Sequence, residues 1–371
     1  MKTLGLCMIV KNEQEVLENC LKSCYKLFDE IIIVDTGSVD KTKEIAKKYA
    51  TKVLDYKWNY DFSQARNYAI LNCSCDYFMW LDADDEITKE SLIKLEKLKQ
   101  DLITTKPNCI FIKYNTDFDE NGKVTFSYFR ERILKNDKIN LFIDPVHEVI
   151  VPREKILYFD DISIEHRKYL KKENKNLSLK KQNDLKRRNL LIYSKQDKTK
   201  FSARQMFYYA RELYFNEKYK KAILWFNKFL NNEDGFIENK IEACLDLSYI
   251  YSFLNDNKKA KQILFSSFVF DKPRSEVLCE IGNLYMQERD YDKAVYYFDL
   301  ATKNKKIKNS LGFIKNDCYD FIPYIQMCVC YYNLGKVDTA YYYNNLAKSV
   351  KPLNQIVLKN EEFLRNKLIE K

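Results

Sequence analysis

The sequence predicts an α/β domain followed by an all-α domain of repeated helix pairs. The chain has 371 residues, which is too long for one ordinary core. In its N-terminal part, apolar runs alternate with segments of helical periodicity, as in the βαβ units of a parallel sheet. From about residue 200 the sequence becomes rich in tyrosine, and its apolar residues follow a helical period throughout. We therefore expect domains at 1–166 and 201–371, joined by a basic helical linker at 167–200.

The N-terminal elements are predicted from buried apolar runs and from i, i+3, i+4 patterns. The parallel strands are expected at Leu4–Val10, Ile31–Asp35, Val53–Tyr56 and Tyr77–Leu81. An antiparallel pair, Ile110–Tyr114 and Val124–Leu134, flanks the turn at 119–122. Helices are expected at Asn12–Phe28, from an N-cap at Ser38 or Asp40 to Tyr49, at Phe62–Leu71 and at Lys89–Leu102.

The C-terminal helices carry a repeated pattern of small and large residues. Small residues recur in the second helix of each pair at Ala222, Ala260, Ala294 and Ala340, with spacings of 38, 34 and 46. Twelve positions before them lie Ala210, Ser248, Gly282 and Cys328, and nine before them lie Leu213, Tyr251, Tyr285 and Tyr331. Closely paired helices need small residues placed against large ones. The recurrence of this pattern at fixed offsets matches degenerate tetratricopeptide repeats. Generic helical hairpins remain the alternative, and Tyr341–Tyr343 suits either packing between repeats or a homodimer face.

Composition excludes several classes of protein. With 46% hydrophobic and 31% charged residues the chain is not intrinsically disordered, and no run approaches the ~20 apolar residues of a transmembrane segment. The apolar run at Leu4–Val10 stops at Lys11, which is too early for a signal peptide, so we expect a cytoplasmic protein. Its 11 cysteines are then reduced, and without C-x-x-C pairs we expect no structural zinc.

The net charge of +10 is concentrated in one segment. Residues 167–200 hold thirteen Lys or Arg against three acidic residues, so the rest of the chain is neutral in sum. A nucleic-acid-binding protein usually carries a basic stripe with aromatic residues across a folded surface, so we expect no nucleic-acid partner. A solvated linker helix, peripheral contact with an acidic membrane and binding to an acidic partner all remain open.

A cluster of carboxylates follows the predicted fourth strand. Asp82 and Asp84 lie two residues apart in an acidic run that extends to Glu86, so in extended backbone they point to the same side. Ligands of open α/β sheets bind at the carboxyl ends of strands, and carboxylate oxygens suit Mn²⁺ or Mg²⁺. An acidic loop that merely caps a helix is the alternative.

Polar residues also end the second strand and begin the third helix. Asp35 offers a carboxylate that can accept hydrogen bonds from a nucleobase or a ribose. Arg66 suits a diphosphate and Asn67 a base edge, although Arg66 could instead form a surface ion pair with Asp61. These residues predict a nucleotide pocket.

The ordered motifs resemble the family 2 glycosyltransferases with a GT-A fold. They look like those of the bacterial branch with tetratricopeptide C-terminal regions, to which the sublancin-type peptide S-glycosyltransferases belong. The motifs are Met8–Glu13, Val34–Ser38, Asp61–Asn67 and Leu81–Asp84, followed by Arg132–Asn136, Val146–Glu148, His166 and Lys186–Leu191. The resemblance covers nearly the whole chain and implies a Rossmann-like mixed sheet followed by helical repeats.

The resemblance also implies a role for each site residue. It places a UDP-sugar in a pocket lined by Glu13, Asp35, Arg66, Asn67, Asp82, Asp84 and Arg132. Asp84 would be the principal carboxylate for Mn²⁺ or Mg²⁺ and His166 a late metal ligand, while Arg132 would oppose the diphosphate charge. The implied reaction is an inverting displacement, for which we expect Glu148 to be the base, with Asp144 as second choice. His147 would orient Glu148 or touch the acceptor, and a structural role stays open for both histidines.

The resulting hypothesis is a metal-dependent hexosyltransferase acting on a surface glycan, a lipid-linked saccharide or a peptide or protein side chain. Repeat surfaces commonly bind extended peptides, which keeps the last class open. A nucleotidyltransferase is disfavoured, because Lys11 to Glu13 stand where a glycine-rich phosphate loop is expected. A non-catalytic repeat scaffold is the remaining alternative.

Overall fold

The computed structural model describes residues 2–167 and 187–370, which form two compact units. The first contains the described residues of 1–117, 128–201 and 309–311, and the second contains 118–127, 202–308 and 312–371. Most of the predicted basic linker, 168–186, lies outside the described residues. In its described part, residues 187–194 form helix α5. The three ranges proposed from the sequence stay predictions.

A mixed sheet forms the centre of the first unit. Its strands are β1 (Leu4–Val10), β2 (Glu30–Asp35), β3 (Lys52–Asp55), β4 (Tyr77–Trp80), β5 (Asp85–Ile87), β6 (Cys109–Phe118), β7 (Val124–Lys135) and β8 (Ile156–His166). They lie in the order β3-β2-β1-β4-β7-β6-β8-β5. Residues 126 and 127 of β7 belong to the second unit, where they pair with β9 (Ile314–Lys315). Because β1 is parallel to β2 and β4, and β2 to β3, the carboxyl ends of these strands meet at one edge. The predicted α/β class is confirmed.

Helices cover both faces of this sheet. They are α1 (Leu17–Cys24), α2 (Thr42–Tyr49), α3 (Phe62–Asn72) and α4 (Lys89–Thr105). Alternate residues of β1 enter opposite cores: Leu6 and Met8 pack with α1, α2 and α4, whereas Cys7 packs with α3. Asp61 caps α3 by accepting from the backbone N–H of Gln64, as its position before the helix predicts.

Helix α1 and strand β5 differ from the sequence-based expectations. Helix α1 begins at Leu17 rather than Asn12, because Asn12 adopts a φ of +54° and the chain turns over the next residues. The short strand β5 was not predicted, since three residues within an acidic run give no apolar alternation. It forms by pairing antiparallel with β8.

Helix pairs make up the second unit. They are α6 (Ala203–Phe215) with α7 (Tyr219–Leu230), α8 (Ile237–Phe253) with α9 (Asn257–Ser266), α10 (Ser275–Gln287) with α11 (Tyr291–Lys303), and α12 (Phe321–Asn333) with α13 (Val337–Val350), followed by α14 (Gln355–Ile369). The predicted small residues are buried between the paired helices, and Gly282 lies against the ring of Phe298. Tyr285 stacks on Tyr297 with ring centroids 5.5 Å apart. The all-helical, tetratricopeptide-like prediction is confirmed.

The irregular spacing of 46 between Ala294 and Ala340 has a structural cause. Between α11 and α12 the chain forms β9 and a short 3₁₀ turn, Asn316–Tyr319, instead of passing directly to the next pair. The inserted residues contact the first helices of three consecutive pairs.

All eleven cysteines are buried and free. No helix among the described residues is long and apolar enough to cross a membrane.

Candidate active site

The acidic run forms a tight turn between β4 and β5. The backbone N–H of Asp82 donates to Oδ2 of Asp85 across 2.9 Å, and the N–H of Asp85 donates to the carbonyl of Asp82 across 3.1 Å. The turn follows β4 at the edge where β1 and β2 also end, as the strand order predicts. It therefore lies where a ligand of an open α/β sheet binds.

Asp84, Asp85 and His166 form a group able to hold a metal ion. One ligand atom from each lies within 4.8 Å of the others. The pairing of β5 with β8 places Asp85 directly opposite His166, which brings in the histidine that the sequence analysis singled out. Carboxylate oxygens with an imidazole nitrogen suit Mn²⁺, and Mg²⁺ to a lesser degree, so these residues fit the implied cation. Asp85 itself was missed as a separate residue of the site.

A buried arginine joins two of the predicted site carboxylates. Arg66 donates through Nη2 to Oδ1 of Asp82 and through Nε to Oε1 of Glu148, each across 2.6 Å. Its third nitrogen, Nη1, is buried without a hydrogen-bond partner in the described part of the chain. Burial alone would raise the pKa of Asp82, but the charges of Arg66 and then Arg132 outweigh it and hold that pKa well below its usual range. The alternative ion pair between Arg66 and Asp61 does not form in the structure.

Glu148 lies in a short loop that several hydrogen bonds fix. Ile143 and Val149 close the loop by exchanging backbone hydrogen bonds of 2.9 and 3.1 Å. Inside it, Asp144 and His147 adopt φ values of +70° and +55°, which residues other than glycine rarely adopt. Such strain persists only where the surroundings enforce it, and it frequently accompanies functional loops.

Asn67 anchors this loop instead of facing a nucleotide base. Its side-chain nitrogen donates to the carbonyl of Phe142 across 2.9 Å, and its side-chain oxygen accepts from the N–H of Phe142 across 2.8 Å. Since both ends of the amide are engaged with the backbone, the structure assigns Asn67 a positioning role. This corrects the expectation that it pairs with a base edge.

Arg132 is a buried residue that contacts Asp85 of the acidic turn. Its side chain is 0% exposed, donates through Nη1 to Oδ2 of Asp85 across 3.0 Å, and lies over the ring of Trp80. Its Nε and Nη2 are buried without a hydrogen-bond partner in the described part of the chain. That Arg132 opposes the charge of a diphosphate stays a prediction.

The second strand ends on a carboxylate with one unused oxygen. Asp35 is 1% exposed, and its Oδ1 accepts from the N–H groups of Gly37 and Ser38 across 2.9 and 2.8 Å. Its Oδ2 is buried without a partner within residues 2–167 and 187–370. Glu13, after β1, lies at the same edge, and its N–H donates to the hydroxyl of Thr42 across 2.7 Å. Asp35 is thus ready to accept a hydrogen bond from a ligand.

A second group with metal-ligand spacing consists of Glu30, Cys73 and Cys75. The oxygens of Glu30 already accept from the Lys52 ammonium across 2.8 Å and from Ser74 across 2.6 Å. These bonds satisfy the carboxylate without an ion, so we assign no site there.

Comparison with known proteins supports the N-terminal assignment. Residues 6–158 match the model of the family described as glycosyl transferase family 2. Over 150 residues the chain is 35% identical to a TPR repeat-containing protein of Synechococcus elongatus, covering 40% of this chain and 36% of that protein. Over 243 residues it is 27% identical to the SPbeta prophage-derived glycosyltransferase SunS of Bacillus subtilis, covering 64% of this chain and 56% of that protein.

Two solved structures resemble parts of the chain. One is glucosyl-3-phosphoglycerate synthase of Mycobacterium tuberculosis, with 15% identity, a TM-score of 0.33, and coverage of 45% of this chain and 72% of that one. The other is the TPR protein YrrB, with 15% identity, a TM-score of 0.36, and coverage of 46% and 79%. The chain spans 36% and 56% of the two curated relatives' lengths. Residues 6–158 are thus similar to the family 2 glycosyl transferases, and helix pairs follow them in the chain.

Proposed function

We propose that this chain is an inverting, metal-dependent glycosyltransferase that moves a sugar from a UDP-sugar to an acceptor. The observation that carries the proposal is the convergence of Asp84, Asp85 and His166 within 4.8 Å, at the sheet edge of a family 2 domain. Two ion pairs lie at the same edge: Arg66 with Asp82, and Arg66 with Glu148. They connect the acidic turn to the proposed base.

The part of the site proposed for the UDP-sugar offers one hydrogen-bond acceptor and one hydrogen-bond donor. Oδ2 of Asp35 is an acceptor suited to a nucleobase N–H or a ribose hydroxyl, and Nη1 of Arg66 is a donor suited to diphosphate oxygens. In the described part of the chain neither atom has a hydrogen-bond partner, and a buried polar atom is costly unless a ligand satisfies it. A divalent cation, Mn²⁺ or Mg²⁺, held by Asp84 and His166 would supply charge against the leaving diphosphate.

Glu148 is the residue we propose as the base that takes the acceptor's proton. Arg66 donates to Oε1 of Glu148 across 2.6 Å, which fixes the direction in which the carboxylate points. The backbone of the loop restrains it further, because the carbonyl of Glu148 accepts from Arg130 across 3.3 Å. Asp144, in the same loop, stays the second candidate.

The acceptor class remains either a surface glycan or lipid-linked saccharide, or a peptide or protein side chain. One observation bears on the peptide alternative. The inserted segment after α11 already contacts the first helices of three pairs. Phe313 lies 4.9 Å from the Arg211 guanidinium. Nζ of Lys315 lies 3.1 Å from the Tyr249 hydroxyl, and the backbone N–H of Lys315 donates to Glu276. A peptide acceptor would therefore need to displace this segment or bind elsewhere.

The test is release of UDP from a panel of UDP-sugars with Mn²⁺ or Mg²⁺, comparing wild type with Asp84→Asn and Glu148→Gln. Exposed carboxylates supply matched controls in Asp160→Asn and Glu154→Gln. We expect turnover that requires the metal, prefers one sugar and is lost in both site variants but not in the controls. UDP-sugar binding without turnover under any condition would support the non-catalytic scaffold, and no binding at all would exclude the proposed donor.

A further inference from the structure

Three aromatic residues lie where β3 passes into α3. Trp58 and Tyr60 occupy the loop, and Phe62 is the first residue of the helix. Because β3 is parallel to β2 and ends at Asp55, this loop leaves the sheet at the edge where Asp35 also lies. The ring centroids of Trp58 and Phe62 are 4.6 Å apart, and those of Trp58 and Tyr60 are 6.4 Å apart. The three rings therefore form one cluster at the edge of the proposed active site.

The helix that begins with Phe62 also contacts the loop of the proposed base. The backbone N–H of Phe62 donates to the carbonyl of Pro145 across 2.9 Å, three residues before Glu148. Phe62 and Arg66 are four residues apart on α3 and so share one face of the helix. That face meets the base loop at both residues, since Arg66 donates to Glu148 across 2.6 Å. The aromatic cluster thus begins about 6 Å along α3 from the arginine that holds the base.

Two of the three rings already have a cation over them. The Arg188 guanidinium of α5 lies 4.7 Å from the ring centre of Phe62. Nζ of Lys195, directly after α5, lies 4.2 Å from the ring centre of Tyr60. Trp58 is partly exposed, and the rings of Tyr60 and Phe62 are inclined to its indole by 52° and 60°, so neither is stacked flat on it. Of the three rings, the indole is the one that no cation of the described residues covers.

The side chains next to these rings are planar and polar. Asn59 donates through Nδ2 to Oε1 of Gln64 across 2.7 Å, and Gln64 donates through Nε2 to Oδ2 of Asp61 across 2.9 Å. A pyranose ring presents C–H groups on its faces and hydroxyls around its rim. A flat indole suits the faces, and amide and carboxylate groups suit the hydroxyls. An extended peptide is instead recognised mainly through its backbone, at a sheet edge or in a groove.

We propose that Trp58 binds the acceptor, and that the acceptor is a saccharide whose ring stacks on the indole while its hydroxyls bond to the neighbouring amides. In the transfer step a hydroxyl oxygen of this saccharide bonds to the anomeric carbon of the donor sugar. The bond from that carbon to UDP breaks, and the hydroxyl proton passes to Glu148. The inference rests on the proposed function for the donor and the base. It goes beyond that function by choosing one acceptor class and by naming the residue that recognises it.

Binding is tested without transfer by saturation-transfer difference NMR of the full chain with UDP and Mg²⁺. The probes are the methyl glycosides of glucose, galactose, mannose, N-acetylglucosamine and N-acetylgalactosamine, together with a mixed-sequence peptide that contains serine and cysteine. We expect saturation to reach the ring C–H protons of at least one glycoside. Absence of saturation for every glycoside, or saturation of the peptide alone, would overturn the inference.

The role of Trp58 is measured by the Kd of the glycoside that binds. We expect Trp58→Leu to weaken binding about 10-fold, as for the loss of one aromatic contact. Trp58→Tyr keeps a flat ring and should lose much less, which separates stacking from folding. Trp225→Leu is the matched control, because Trp225 in α7 is also partly exposed and packs against a tyrosine ring. An unchanged Kd in Trp58→Leu, or an equal loss in both Trp58 variants, would contradict the proposed stacking.

Release of UDP from UDP-sugars by wild type, without any acceptor, reports separately on the proposed function. Release together with no glycoside binding would leave the proposed function standing and overturn this inference. Glycoside binding that weakens in Trp58→Leu, with no UDP release, would support the saccharide site and remove the proposed reaction.

Discussion

Nε of Arg66 lies 2.6 Å from Oε1 of Glu148, so the proposed base is held by a buried cation. The same guanidinium holds Asp82, which begins the acidic turn of the metal group. Arg66 is buried against the rings of Trp80 and Phe142, which limits its movement. The base and the acidic turn are thus positioned by one rigid, planar group.

Replacing this arginine with lysine should reduce turnover far more than it reduces stability. Arg66→Lys keeps the positive charge but loses the fork that reaches Asp82 and Glu148 together. We expect kcat/KM for UDP release to fall about 100-fold, as for a misplaced catalytic group. Arg153→Lys, at an exposed position, is the control. Undiminished kcat/KM in Arg66→Lys would show that the bidentate contact is not needed.

Asn67 should matter through the loop that carries Glu148. In Asn67→Asp a carboxylate oxygen replaces the amide nitrogen that donates to the Phe142 carbonyl, so an attraction becomes a repulsion. We expect faster hydrogen exchange across 141–150 and a fall in kcat of about 10-fold, because a loosened base is less often in place. Exchange as slow as in wild type, together with an unchanged kcat, would argue that the loop does not depend on this amide.

The helical unit should lose stability as the pH rises towards 8. Asp246 and Glu242 share Arg211, at 3.0 and 3.5 Å, in a buried setting. Burial, only partly opposed by the charge of Arg211, raises the pKa of Asp246 to about 7. Because this folded-state pKa lies above the unfolded value of about 3.9, the stabilisation by the bound proton is complete below that value and is lost as the pH rises through the folded pKa.

Urea unfolding at pH 5 and pH 8 measures this dependence. We expect a lower midpoint at pH 8 for wild type and a much smaller difference for Asp246→Asn, which should exceed wild type by about 1 to 3 kcal/mol at pH 8. Asp234→Asn, exposed between helices, controls for loss of charge. A pH dependence in Asp246→Asn as steep as in wild type would assign the effect to other groups.

The contact between Gly282 and Phe298 should tolerate no added methyl group. A Cβ on Gly282 would lie 2.8 Å from the phenyl ring. Overpacking costs about 1 to 3 kcal/mol, whereas replacing glycine by alanine within a helix gains about 1 kcal/mol. We expect Gly282→Ala to be destabilising on balance, measured by thermal unfolding. In a double-mutant cycle, Phe298→Leu should offset part of the loss, and strictly additive effects would mean that the two residues do not interact.

Carboxylates that follow the end of a strand could be predicted from the sequence. Asp82 and Asp84 follow from a strand that ends in an acidic run, and Asp35 from the strand beside it. The role of Asp85 was not visible, because it depends on the pairing of β5 with β8 and on a histidine 81 residues away. A short strand without apolar alternation leaves no periodic signal for such a pairing.

Residue type alone was also a poor guide to what Arg132 and Asn67 contact. Asp85 accepts from Nη1 of Arg132, and the backbone of Phe142 bonds both ends of the Asn67 amide. Residue type does not predict such contacts between distant parts of the chain. Tyr114, whose hydroxyl donates to Oδ1 of Asp85 across 2.7 Å, gave no signal, since a tyrosine in an apolar strand is an ordinary core residue. In the repeats, by contrast, packing follows fixed sequence offsets, so the small and large residues were predicted correctly.

The affinity for Mn²⁺, measured with and without UDP in wild type and in Asp84→Asn, tests the central claim most directly. If Asp84 and His166 hold a cation that also contacts the donor's diphosphate, UDP will tighten Mn²⁺ binding by wild type, and Asp84→Asn will lose both the binding and the effect of UDP. Mn²⁺ binding that is indifferent to UDP, or that survives intact in Asp84→Asn, would contradict the account.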